Sequence, residues 1–198
     1  MPIMSAIESA VCRSAAWRSF ARRGVLPWAL DGHALHGDVL EVGGGSGAMA
    51  AGVARANPEV QLTVTDVDDA MVESARTRLA AHRNVTVQAA DVTALPFDSG
   101  TFDAVTSFLM LHHVVDWRAA VAEVKRVLKP GGAFIGYDLT DTRLAHWVHR
   151  ADGSPHRILA PEELKHALRA DGFTGITVST AFCAHLMRFY ACSPAAKS

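Results

Sequence analysis

The segment Val39-Leu40-Glu41-Val42-Gly43-Gly44-Gly45-Ser46-Gly47 carries an apolar strand through one acid into a glycine-rich turn. Glycines at Gly43, Gly44, Gly45 and Gly47 let the backbone close on a ligand without side-chain obstruction, and they supply turn conformations that a Cβ disfavours. The chemistry expected is capture of a small molecule by main-chain groups. Gly43, Gly45 and Ala48 also satisfy the loose fingerprint of a dinucleotide loop, with Asp66 near the distance expected of a ribose-binding acid. Glu41 separates the two readings. An acid at the strand end repels a pyrophosphate, whereas it attracts the ammonium and sulfonium of S-adenosylmethionine, which has no phosphate.

The elements that must position this loop are legible from periodicity. Short β-rich runs alternate with helical ones: strand 39–43, helix 47–56, strand 60–65, helix 68–80, strands 84–88 and 102–108, helix 117–128 and strand 132–138. That rhythm predicts an α/β fold, a doubly wound and mostly parallel sheet with helices on both faces. After Asp138 the period is lost over 139–160, read as a short lid or insert, until Pro161-Glu162-Glu163 opens another helix. The run Ile176-Thr177-Val178 and the run 182–190 then follow with no helix between them, which predicts an antiparallel C-terminal strand pair. Ahead of the fold, Ile3, Ile7, Val11, Ala15 and Phe20 recur at helical steps. The organisation expected is an N-terminal helical cap over 1–37, a ligand-binding domain over 38–192 and a flexible tail over 193–198.

Composition narrows the function classes. A chain of 198 residues fits one domain with a sizeable core. The net charge of −1 gives no general field for nucleic acid or an anionic membrane, and the cluster Arg13, Arg18, Arg22 and Arg23 reads as a solvated helix face. Cys12, Cys183 and Cys192 are odd in number and lack metal-type spacing, so a reducing, cytoplasmic setting without disulfides is expected. No apolar run reaches the length of a membrane span, and no targeting segment is expected.

The ordered motifs resemble the class I, seven-strand S-adenosylmethionine-dependent methyltransferases over roughly 38–190. They are Glu41 through Gly47, Val64-Thr65-Asp66-Val67-Asp68 through Met71, and Ala90-Asp91-Val92. Leu95-Pro96-Phe97 with Phe102-Asp103, Leu111-His112-His113-Val114 with Asp116-Trp117, and Arg126 through Gly132 complete the series. The resemblance implies a seven-stranded sheet, S-adenosylmethionine as cofactor and S-adenosylhomocysteine as product. It also implies roles: Asp66 accepting both ribose hydroxyls, Val67 against the adenine, Asp91 accepting from the adenine amino group beside the Val92 N–H, and Glu41 and Ser107 near the ammonium.

Methyl transfer from a sulfonium is an in-line displacement, so positioning carries most of the rate and a base is needed only to take a proton from the acceptor. His112 and His113, after the fourth strand, are the first candidates, although one of the two must point away; Asp138, with Tyr137 and Asp141 nearby, follows. His146, His149 and His156 match no metal-ligand signature, so no metal is expected in the first reading, with a metal-dependent sugar or catechol methyltransferase left open. Trp17, Phe20, Trp28, Trp147, Leu109, Met110 and Met187 offer apolar surface for a small or lipophilic acceptor, with ordinary packing as the plain alternative. The function expected is methyl transfer to O, N or C of a small metabolite, with neither nucleic acid nor membrane as partner and a homodimer compatible with an open cleft. A non-catalytic cofactor-binding protein and an NAD(P) oxidoreductase are the alternatives.

Overall fold

In the computed structural model, residues 24–142, 146 and 156–195 are described. The expected helix over Ile3–Phe20, the arginine cluster and Cys12 lie outside them, as do Trp147, His149 and most of the 139–160 insert. The elements are α1 (Leu26–Leu30), β1 (Asp38–Val42), α2 (Ala48–Ala56), β2 (Gln61–Asp66), α3 (Asp69–Leu79), β3 (Val85–Ala89) and β4 (Phe102–Phe108). There follow a single 3₁₀ turn (Leu111–His113), α4 (Trp117–Val127), β5 (Leu128–Leu139), α5 (Pro161–Ala170), β6 (Thr174–Ala181) and β7 (Leu186–Cys192).

Seven strands form one sheet in the order β3-β2-β1-β4-β5-β7-β6. Pairing is parallel from β3 to β5, and β7 runs antiparallel to both β5 and β6. The order reverses between β1 and β4, and in open α/β sheets ligands bind outside the carboxyl ends of the strands at such a switch point.

Alternation along the strands divides the core. Leu40, Val42, Val105, Phe134 and Phe189 pack on one side with Val121 and Val124 of α4 and Leu164 and Leu168 of α5. Val39, Leu62, Val64, Ala104 and Ile135 pack on the other with α1, α2 and α3. The helices form where the sequence supplies both a stripe and a cap. In α4, Trp117, Ala120, Val121, Val124 and Val127 make the buried stripe, and the Asp116 side chain accepts from Ala119 N–H at the start. In α3, Asp68 caps in the same way by accepting from Ala70 N–H.

Two boundaries differ from expectation. β5 starts at Leu128, four residues early, because the Pro130-Gly131-Gly132 turn is absorbed into the strand as a bulge: Leu128 pairs with Phe102, then Ala133 with Ala104. Ser193 clips that bulge by accepting from Gly131 N–H and donating to Gly132 O, so the tail starts from an anchored residue. The run 182–190 is not one strand. Phe182, Cys183 and Ala184 take left-handed φ values of 54°, 54° and 63°, closing the turn into β7 at a cost of about 1–2 kcal/mol per residue. The aromatic that suggested a strand there is 55% exposed.

Candidate active site

The glycine loop leaves β1 at the switch point and enters α2, held by its neighbours. Gly44 N–H donates to Thr65 O of β2 at 2.9 Å, and Gly45 N–H donates to Asp66 Oδ2 at 2.8 Å. Gly43 sits at φ +62°, where a Cβ would run into the Met110 side chain. Gly45, at φ +53°, faces open space, so its left-handed backbone accounts for glycine there. A Cβ on Gly44 would strike Val64, and one on Gly47 would crowd Leu79 and Ala75 of α3. The loop is thus packed from beneath and clear above Gly45.

Glu41 is 1% exposed beneath that loop, with its Oε1 next to Gly44. Its Oε2 has no hydrogen-bond partner among the described residues. Burial pushes its carboxyl up to about 8, opposed only by the Ala50 backbone N–H. Ser107, at the end of β4 and paired with Val42, likewise has a fully buried Oγ without a partner. Ser107 is in register with Val42 and Glu41 with Thr106, so the Ser107 and Glu41 side chains lie on opposite faces of the sheet, against the expectation that both meet one ammonium. An unmet buried polar atom is costly, and the Glu41 oxygen fits a polar ligand that supplies a donor.

Asp66 ends β2. Its Oδ2 takes the Gly45 N–H and its Oδ1 takes the Asp68 N–H at 3.0 Å. Burial raises its carboxyl, and the Asp68 and Gly45 N–H groups oppose that rise. Val67 beside it is 41% exposed, an uncovered apolar side chain at a strand end. Asp91 opens the loop after β3, where its Oδ1 accepts from Thr93 N–H at 2.8 Å and Thr93 Oγ1 at 2.7 Å; Val92 is buried in the core.

The histidines separate by environment. His112 is 3% exposed and its Nδ1 lies 2.5 Å from Asp138 Oδ1, while its backbone N–H donates to Asp138 Oδ2. Asp138, itself 1% exposed, also accepts from Leu139 N–H. Asp138, expected to hold or deprotonate an acceptor, therefore spends its oxygens on its own chain, clamping the 3₁₀ turn to the end of β5. His113 is half-buried and lies against His112, ring centroids 4.0 Å apart.

Other expected residues scatter. Met187 is wholly buried in the core, and Met110 packs beneath Gly43. Trp28 meets Tyr137 and Phe182 edge to face at 5.9 and 5.7 Å. His146 pairs with Asp141, and among the described residues no group of three His, Cys, Asp or Glu side chains is arranged to hold a metal ion. Cys183 and Cys192 are free thiols. Among the described residues no helix is long and apolar enough to cross a membrane. The sequence motifs include Arg126 but neither Glu123 nor the grip the two exert on the loop after β3; a carboxylate and a guanidinium three residues apart on a helix were the available signal.

A switch-point glycine loop, a buried carboxyl beneath it and an acid ending β2 stand together at the carboxyl edge of a doubly wound α/β sheet. A family profile described as a methyltransferase domain matches residues 40–136. The chain is 40% identical over 104 residues to a ubiquinone/menaquinone biosynthesis C-methyltransferase UbiE of Desulfotalea psychrophila, a match covering 52% of this chain and 42% of that protein. It is 31% identical over 170 residues to the protein of the same name in Cupriavidus taiwanensis, covering 76% of this chain and 67% of that one. Among solved structures, the cyclase SpnF superposes with a TM-score of 0.79 at 21% identity, covering 93% of this chain and 85% of that one, a likeness of fold. The chain belongs to the class I S-adenosylmethionine-dependent methyltransferases. It spans less than half the length of the Desulfotalea relative.

Proposed function

We propose that this protein moves a methyl group from S-adenosylmethionine to a carbon of a small, electron-rich ring acceptor by in-line displacement. The observation that carries the reading is the Glu41 carboxyl, buried beneath an open glycine loop with one oxygen unmet, a place suited to an ammonium. Carbon is favoured over O or N because the curated relatives are named as C-methyltransferases of quinone biosynthesis. A quinone ring is electron-poor, so the acceptor form that attacks a sulfonium methyl is the reduced, hydroxyl-bearing ring.

In this reading Glu41 Oε2 receives the ammonium end, and the main chain at Gly43–Gly47 follows the amino-acid portion. Asp66 keeps lone pairs beyond those used by Gly45 and Asp68, enough for two adjacent ribose hydroxyls. Val67 offers its exposed face to the adenine, and Asp91 Oδ2 with Val92 N–H reads the adenine edge. When bound, the cofactor supplies a methyl on a sulfonium, whose charge is neutralised as the acceptor attacks. His113 is the candidate for taking the acceptor's hydroxyl proton as the ring carbon attacks the methyl; the proton on that carbon then returns to the oxygen as the ring regains aromaticity, and the His112–Asp138 clamp fixes the turn that carries His113.

The test has two parts. Calorimetry with S-adenosylhomocysteine checks the cofactor half, and transfer of labelled methyl to a short-chain reduced demethylmenaquinone checks the acceptor half. Binding together with label on the ring carbon is expected. An absence of heat or thermal protection with the homocysteine product removes the reading.

A further inference from the structure

The loop from Ala90 to Phe97, which carries Asp91 and Val92, has no helix or strand of its own to hold it. Two side chains of α4 grip its far end. Glu123 Oε2 accepts from Leu95 N–H at 2.8 Å, and Arg126 Nη2 donates to Leu95 O at 2.9 Å, so one residue has both its backbone groups satisfied from the helix. Arg126 Nη1 donates to Phe97 O at 2.7 Å. The two side chains are themselves paired side-on, Arg126 Nε to Glu123 Oε1 at 2.7 Å and Nη2 to Oε2 at 2.8 Å. The mutual ion pair holds each in its charged form, lowering the Glu123 carboxyl and raising the Arg126 guanidinium. Leu95 is buried in the core, and Phe97 meets Phe102 edge to face at 5.0 Å, so the grip sets the depth of the loop against the sheet.

The near end of the loop is a turn closed on Asp91, with Ala94 N–H donating to Asp91 O and Thr93 to its side chain. Only three residues separate Asp91 from Leu95. A shift at Leu95 therefore moves the Asp91 carboxylate and the Val92 N–H together.

We propose that Glu123 and Arg126 are positioning residues for adenine recognition: without touching the cofactor, they set where Asp91 Oδ2 and Val92 N–H meet the base edge. This rests on the adenine-facing reading of Asp91 and Val92 given above. A merely structural pair lowers stability and weakens all nucleosides alike, whereas a positioning pair controls the preference for the amino group of adenine.

The experiment compares S-adenosylhomocysteine with S-inosylhomocysteine, which carries oxygen in place of that amino group, by calorimetry on the full chain. The native protein is expected to prefer the adenine form by at least about tenfold, the scale of a hydrogen bond to a charged acceptor. Asp91→Ala and Arg126→Ala are each expected to cut that preference to about threefold or less, and Glu123→Gln, which keeps volume and an acceptor for Leu95 N–H, to an intermediate value. Should Arg126→Ala fail to fold, Glu123→Gln carries the test. Loss of preference in Asp91→Ala with full preference kept in the α4 variants overturns the inference alone. No preference in the native chain, or a preference untouched by Asp91→Ala, removes both the adenine reading and the inference.

Discussion

Under the proposed function, Glu41 makes cofactor capture a proton-linked event. Its carboxyl, raised from 4.5 to about 8 by burial, is neutral in roughly nine of ten molecules at pH 7. At about 1.4 kcal/mol per pH unit, burial costs the charged form about 5 kcal/mol. An ammonium brought to Oε2 favours the ionised form, so binding at pH 7 should release close to one proton. Calorimetry of S-adenosylhomocysteine in two buffers of different ionisation enthalpy reads that release directly. Apparent affinity should rise nearly tenfold from pH 6 to pH 7, a window in which the ligand amine, with a usual value of about 7.7–8.0, stays charged. Glu41→Gln should show no proton release and a flat profile. The same residue affects folding with a definite sign. The native state holds a proton that the unfolded chain gives up at about 4.5, so stability is full below that pH and declines as pH rises toward 8. Glu41→Gln should flatten that decline in a melting series. Binding without proton release, and an affinity level across pH 6–7 in the native chain, refutes the argument.

Asp66→Ala should weaken S-adenosylhomocysteine binding by about 1.5–3 kcal/mol in calorimetry, since it removes an acceptor of hydroxyls and frees the Gly45 N–H. Gly43→Ala should lower the melting temperature, because its left-handed backbone and the Met110 side chain both oppose a Cβ. Gly45→Leu should fold with a small loss yet block cofactor binding, because the space it fills lies outside the packed protein. Asp138→Ala should cost at least about 2 kcal/mol in denaturant unfolding, as it strands the buried donors of His112 and Leu139. His113→Ala should lower turnover roughly 100-fold, the low end for a general base, at a temperature well below its melting point; equal turnover removes it from that role.

Much of the architecture was legible locally. Helices over 38–139 fall within a few residues of their expected bounds because each buries one face with period 3.6, and the central strands because they are short apolar runs buried on both faces. The glycine loop was equally plain, since left-handed φ at Gly43 and Gly45 restricts residue type. Turns that break the expected pattern were not. Phe182 and Cys183 carry side chains that favour strands, and only the pairing of Leu186–Cys192 with both β5 and β6 forces them into a left-handed turn.

The chain's own residue order settled the class of fold and the place of the glycine turn, because those depend on neighbours a few positions apart. Which groups face one another depended on strands far apart in sequence. Asp138 meets His112 across 26 positions and Arg126 reaches Leu95 across 31, so their roles became visible only once the sheet had folded. Tertiary burial likewise turned Glu41 from an ordinary acid into one protonated at neutral pH, since desolvation belongs to the assembled core and not to the residue.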